Sequence, residues 1–402
     1  MKQKKGRSAG NCSCMDFFES ANSDRLYPFL YCHLMLEGNF DWNNFQEAVR
    51  ISANYVPEIF STYDFRRAKF VKKNFTVEDL FTDDLSSNPR WDLSSNPQVK
   101  LSIHQEEKQK SIMIGMSHIL ADGAGFKQYL YLLAALYNRE KCKLPIHNNR
   151  AIDPVLKGIR VGKPTEQIKQ NRGATMSPLR QFNDGTEFFC LSSTLSPDEL
   201  MGITEKYRNY GATRNDIWIA AYARVIAGMQ KISVVAIPCP ADLRRYGYAP
   251  DSMTIGNVTG TYQTIFVEVQ PGDTFADTVL QVHIEMLLQK SRNLCFRGIR
   301  PLTFAFRTLP HSLVKHIIKS AYRIPPVSYT NIGVIDADKL QFDGCHIENC
   351  FITGLYRLPP DFQLSVSIFR GTGTLNCALI GNKADRDLGQ HILKEVKREL
   401  LR

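Results

Sequence analysis

The chain has 402 residues, 43% of them hydrophobic and 22% charged, and a net charge of +10. That length exceeds one ordinary core and fits two domains or one large two-lobed unit, and the composition excludes a disordered chain. The longest apolar run, "IWIAAYARVIAGM", is broken by Arg224 and falls short of the roughly 20 residues a bilayer requires. No membrane span and a cytoplasmic location are therefore expected.

The opening "MKQKKGR" is followed by the mixed string "SAGNCSCMDFF", which lacks the apolar stretch of a secretory signal. With no accompanying nucleic-acid motif, residues 1–20 read as a solvated basic tail, and no nucleic-acid partner is expected. The 10 cysteines are scattered. Cys12 and Cys14 form a C-x-C and there is no C-x-x-C, which points to neither a disulfide framework nor a metal site.

From residue 21 the pattern alternates. "YPFLYCHLMLEG" reads as a strand, and "DWNNFQEAVRISANY" as a helix with Trp42, Phe45, Ala48 and Val49 on one face. "IFSTYDFRRAKFVKK" reads as a hairpin. "VKLSIHQEEKQKSIMIGMSH" reads as a second, turning at "QEEKQK". "GFKQYLYLLAALYNRE" then has helical spacing, closing a first lobe over residues 21–141. Residues 142–185 are polar, rich in Pro, Gly and Asn, and read as a linker.

A second lobe is expected over residues 186–402. "TEFFCLSSTLS" reads as a strand. "SPDELMGITEKYRNY" reads as a helix capped by Ser196 with Pro197 first, and "TRNDIWIAAYARVIAGM" as a buried helix capped by Thr213 or Asn215. "ISVVAIPCPADLRR", "GTYQTIFVEV", "VSYTNIGVID", "CHIENCFITGLY" and "FQLSVSIFRGTGTLNCALIG" are rich in β-branched and aromatic residues and read as strands. "ADRDLGQHILKEVKRELL" reads as a closing helix. Sheets with flanking helices in both halves give an α/β chain of the α+β sandwich kind.

The stretch "IGMSHILADGAGFKQYL" carries the chemistry. His118 stands at the end of an apolar strand, where a neutral imidazole is a competent general base. Such a base needs a rigid loop, which Asp122 supplies if it is buried and paired with an arginine. Gly123 lets the backbone turn away there. H-x-x-x-D-G arises by chance in roughly 3% of chains of this size and composition, so spacing alone leaves other readings open. One is a satisfied histidine followed by a turn-forming Asp-Gly. Another is an i, i+4 metal pair, which needs a helix where the glycines favour a loop.

The motif has company. "SHILADG" resembles the signature of the chloramphenicol acetyltransferase-like superfamily, which includes BAHD acyltransferases, condensation domains of nonribosomal peptide synthetases and stand-alone acyltransferases. "ADLRRYGYAPDSMTIGNVTG" is similar to that superfamily's Asp-x-Arg segment followed by Gly-Asn, with Asp242, Arg244, Gly256 and Asn257 in the matching places. "SYTNIGVID" resembles its channel-lining strand, and "YVPEIFSTYDFRRAKFV" a segment bearing a proline and an arginine strand pair. The resemblance covers about residues 25–400. Two departures narrow it. Ser117 stands where condensation domains usually have a first histidine, and Gln363 stands where plant BAHD enzymes have the glycine of an Asp-Phe-Gly motif.

The resemblance implies two lobes with mixed sheets and a channel between them, His118 at its midpoint, and a salt bridge between Asp122 and Arg244. It implies an acyltransferase moving an acyl group from a thioester, coenzyme A first, to a hydroxyl or amine, with His118 as general base. Asn257, Thr330, Asn331 and the backbone N–H near Gly123 are candidates for stabilising the oxyanion or lining the channel. No permanently bound cofactor is implied. The donor is acyl-CoA or a phosphopantetheinyl carrier protein, and a basic rim bearing Arg244, Arg245, Arg66 and Arg67 would attract either. A channel closed within one chain makes a monomer the expectation. The alternatives are a condensation-type enzyme served by a carrier protein, and a catalytically inactive binding homologue.

Overall fold

Two larger sheets organise the chain in a computed structural model that describes residues 12–24, 26–82, 91–105, 110–140, 145–146, 150–164, 176–177, 179, 185–321, 326–357 and 362–402. The basic cluster at residues 1–7, most of the "QEEKQK" turn, much of the linker and residues 358–361 lie outside them. The mixed α/β class expected from the sequence is the one observed.

The first sheet is built on β2 (Phe29–Gly38), β5 (Val99–Gln105) and β6 (Lys110–Ser117), all antiparallel. The helices α2 (Trp42–Ser52) and α3 (Gly123–Tyr137) pack together beside it, joined where Tyr129 and Ser52 hydrogen-bond at 3.0 Å. Asp41 caps α2 by accepting the Asn44 N–H, and Phe45, Ala48 and Val49 are buried as their spacing requires. Between α2 and β5, the hairpin β3 (Ser61–Asp64) and β4 (Lys69–Lys72) stands apart as a two-stranded sheet.

The second sheet centres on β14 (Thr372–Gly381), which pairs antiparallel with β7 (Glu187–Leu195) on one edge and β13 (Phe362–Phe369) on the other. β10 (Val327–Ile335) extends it in parallel with β13. β14 is buried along nearly its whole length. It is covered by α10 (Lys383–Leu400), whose Ile392, Leu393 and Val396 enter the same core as α6 (Arg214–Gln230). Thr213, not Asn215, caps α6, in a reciprocal box with Asp216. β8 (Val234–Asp242) and β9 (Thr259–Glu268) form a further antiparallel pair.

The structural lobes differ from the expected blocks 21–141 and 186–402. β11 (Cys345–Ile352) crosses over and pairs with the open edge of β2, setting Leu34 opposite Cys350. In return β1 (Leu26–Tyr27) pairs with β12 (Tyr356–Arg357) on the second sheet. An edge strand leaves its backbone groups unpaired, and a strand from anywhere in the sequence satisfies them.

The polar-tail expectation is corrected as well. Residues Cys14–Ala21 form helix α1, started by a capping box between Ser13 and Asp16, with Met15, Phe17 and Ala21 buried. The linker holds the short α4 (Asp153–Leu156), with Arg150, Ile152 and Val155 buried. Residues 275–321, given no element in the sequence reading, form α7 (Phe275–Ser291), α8 (Ile299–Thr308) and α9 (His311–Ala321). Leu302 and Phe306 of α8 touch both hydrophobic cores and join the lobes. α5 (Pro197–Lys206), capped by Ser196, lies outside β14. No helix among the described residues is long and apolar enough to cross a membrane.

Candidate functional site

β6 ends at Ser117, and the chain then turns sharply. The Ser117 backbone carbonyl accepts N–H groups from Leu120 and Ala121, and its side chain accepts that of Ile119 at 3.2 Å. Ser117, the residue in the place of a first histidine, is fully buried and pins this turn. His118 leaves the strand end with its backbone N–H donated to Pro28 at 2.8 Å. Asp122 caps α3 by accepting the Gly125 N–H at 2.8 Å.

Asp122 is also the centre of a buried ion pair. Both terminal nitrogens of Arg244 reach it, at 2.9 and 3.1 Å, and the Val258 N–H and the Thr259 hydroxyl each donate to it at 2.7 Å. Burial pushes the Asp122 carboxyl up, but Arg244 and these donors prevail and hold it below the usual carboxylate range. Arg244 further donates to the Thr254 and Gly256 carbonyls and to Asp242. Its guanidinium is therefore inside the protein and not on a rim. Gly125 makes the approach feasible, since a Cβ there would lie 2.7 Å from the Gly256 carbonyl oxygen.

A second buried pair, absent from the sequence reading, braces the other side of the loop. Arg150 donates to both oxygens of Asp16, at 2.7 and 2.8 Å, and to the carbonyl of Leu120 at 2.5 Å. Asn257 joins this cluster. Its side-chain amide donates to Asp16 at 2.9 Å and to the carbonyls of His118 and Ile119 at 2.8 and 3.0 Å. Asn257 thus holds the histidine's backbone and has no N–H to offer an oxyanion, which corrects that part of the expectation. Asp16 and Arg150 are 134 residues apart, and only the Ser13–Asp16 capping pattern was a local signal for either.

His118, Asp122 and Gly123 line one open cleft between the lobes, along with Thr330 and Asn331 from β10. Pro238, Pro240 and Ile332 give it apolar walls, and Asp242, Thr259 and Thr261 polar ones. Lys127 of α3 crosses it, donating to the carbonyls of Ile332 and Val334 of β10. Asn331 is committed through its amide to Asn215 at 3.0 Å and through its oxygen to the Gly333 N–H. Arg66 and Arg67 are exposed at the β3–β4 turn, with backbone N–H groups held by Asp64, and neither they nor Arg245 line the cleft. Arg245 lies over the ring of Tyr246 at 4.8 Å.

α1 supplies Phe18 and Glu19 to the same cleft, and its C-cap supplies Asn22. The carboxylate of Glu19 lies 3.7 Å from His118 Nδ1, with the two side chains 22% and 16% exposed. Nδ1 itself is buried and accepts or donates no hydrogen bond among the described residues. Among those residues, no group of three or more His, Cys, Asp or Glu side chains is placed to hold a metal ion.

No family model and no curated protein matches the sequence. Solved structures do match in shape. Polyketide synthase associated protein 5 from Mycobacterium tuberculosis superposes with a TM-score of 0.68 at 16% identity, covering 96% of each chain. The first condensation domain of the CDA synthetase gives 0.65 at 15% identity, covering 99% of this chain and 97% of that one. Trichothecene 15-O-acetyltransferase from Fusarium sporotrichioides gives 0.65 at 11% identity, covering 97% and 95%. The chain accordingly resembles, over nearly its whole length, the fold of the chloramphenicol acetyltransferase-like superfamily.

Proposed function

We propose that the protein is an acyltransferase that carries an acyl group from a thioester to a hydroxyl or amine acceptor, with His118 as general base. The observation that carries this reading is a part-exposed imidazole lining an open cleft, on a loop whose aspartate and carbonyls are tied down by two buried ion pairs and Asn257. A base held in this way loses little orientation on meeting its substrate.

With Nδ1 buried, Nε2 is the nitrogen for the acceptor. It takes the acceptor's proton as the acceptor oxygen or nitrogen attacks the thioester carbonyl carbon. When the C–S bond breaks, the proton passes to the departing thiolate, leaving His118 neutral again. Proton transfer of this kind contributes roughly 10²–10⁴-fold. The carbonyl oxygen becomes an oxyanion in between, and the first turn of α3, where Gly123 and Ala124 line the cleft, offers backbone N–H groups at the positive end of a helix. The Thr330 hydroxyl is the side-chain candidate on the facing wall.

Coenzyme A is the donor put first, with phosphopantetheine on a carrier protein as the second form of the same thioester chemistry. The test is thiol release from acyl-CoA and from acyl-phosphopantetheinyl carrier protein, each against pooled alcohols and amines, with the acylated product identified by mass. Acceptor-dependent thiol release supports the reading, and the more active donor names the source. No acceptor-dependent release from either donor contradicts it.

A further inference from the structure

The loop carrying His118 is braced through its backbone, which leaves open what holds the ring. Asn257 secures the His118 carbonyl and Arg150 that of Leu120, while Asp122 is fully committed to Arg244, Gly125, Val258 and Thr259. None of these reaches the imidazole. The Glu19 carboxylate stands 3.7 Å from its inward nitrogen, Nδ1.

Glu19 is there because of how α1 is anchored. Asp16, one turn earlier on the same helix, is gripped by Arg150 and Asn257, and residues three apart on a helix share a face. The clamp that holds the motif loop therefore also aims Glu19 at the ring that loop presents. Further anchors are the Cys14–Thr303 contact at 3.3 Å and the packing of Phe17 on Phe306 at 5.3 Å. Burial, then the neighbouring Asp122 and Asp16, raise the Glu19 carboxyl, and His118 opposes that rise.

We propose that Glu19 is the positioning residue for His118, its carboxylate accepting the Nδ1–H and so fixing the tautomer that leaves Nε2 unprotonated toward the cleft. The separation exceeds a hydrogen bond as it stands, and contacts of this type commonly tighten when substrate binds. The consequence for rate rests on the acyl-transfer reading above, whereas the pairing rests on geometry alone. As Nε2 gains the acceptor's proton, the ring becomes cationic and the neighbouring anion stabilises it. The proton on Nδ1 stays in place throughout, so no further co-reactant is needed.

The test is ¹⁵N NMR of histidine-labelled protein without substrate, for the parent, Glu19→Gln and Glu19→Ala, with His118→Ala assigning the resonance. The parent is expected to hold the neutral ring as the Nδ1–H tautomer, and Glu19→Ala to shift it toward Nε2–H. In activity, Glu19→Gln should lower kcat about tenfold with KM nearly unchanged. Both variants should keep the parent's thermal midpoint, since the Asp16 clamp is intact. The same tautomer in all three proteins overturns the proposal. A tautomer shift on Glu19→Ala, with no acyl transfer by the parent, sustains the pairing and rejects the acyl-transfer reading instead.

Discussion

Asp122 and Arg244 stand 122 residues apart in sequence and meet through two hydrogen bonds of 2.9 and 3.1 Å, both side chains being under 10% exposed. Breaking a buried pair from one side leaves an uncompensated charge and costs about 3–5 kcal/mol. Asp242 remains as a second partner for Arg244, which puts Asp122→Asn at the lower end, about 3 kcal/mol. The folded-state value of Asp122 lies below its unfolded value, so its stabilisation is fully present above the unfolded value and lost as pH falls through the folded one. Urea midpoints of parent and Asp122→Asn should therefore differ by a constant amount above about pH 5 and converge below about pH 4.

The Asp16–Arg150 pair predicts that α1 is part of the site. Arg150→Met removes the cation and leaves the Asp16 carboxylate buried with Asn257 as its remaining side-chain partner outside α1. A loss of about 3 kcal/mol or more is expected in urea unfolding, together with lost acyl transfer in the protein that still folds. Arg67→Met, at the exposed β3–β4 turn, should change neither.

Two glycines of the motif answer to different constraints. A Cβ on Gly125 meets backbone on one side and Arg244 Nη2 at 3.0 Å on the other, and neither retreats easily. Gly125→Ala should cost about 1–3 kcal/mol by overpacking. A Cβ on Gly123 meets only the far end of Ile332, and alanine is about 1 kcal/mol better than glycine in a helix. Gly123→Ala is expected to be close to neutral by thermal unfolding.

Asn257 and Thr330 separate support from chemistry. Asn257→Ala strips the His118 and Ile119 carbonyls of a buried donor and should cost about 2 kcal/mol along with activity. Thr330→Val keeps the shape of the wall and removes its hydroxyl. If that hydroxyl faces the oxyanion, kcat falls by about tenfold or more with the thermal midpoint unchanged.

The legible part of this molecule was the part written locally. Strand and helix spacing gave the mixed α/β class, and "SHILADG" with "ADLRR" named His118, Asp122 and Arg244, which the structure brings to one loop and its brace. The exchange of β11 and β1 between sheets left no such trace, because alternation of apolar residues fixes which face a strand buries and not which strand it pairs with. Arg150 sits among polar linker residues, and its importance lies wholly in an acid 134 positions earlier. Asp16 and Glu19 follow a basic cluster that suggested a tail. There the Ser13-x-x-Asp16 box ahead of an apolar pair was the available helix signal. Asn257 was found by resemblance but misassigned. A sequence shows that an amide is present, and only packing shows that its N–H groups are already spent on carbonyls.

The most direct measurement is acyl transfer from thioester to acceptor by His118→Ala, alongside its urea unfolding curve. Because the loop is braced through its backbone carbonyls and Asp122, the variant should unfold at nearly the parent's midpoint while its kcat/KM falls about 10²-fold or more. Transfer at the parent's rate by a folded His118→Ala protein would contradict the account.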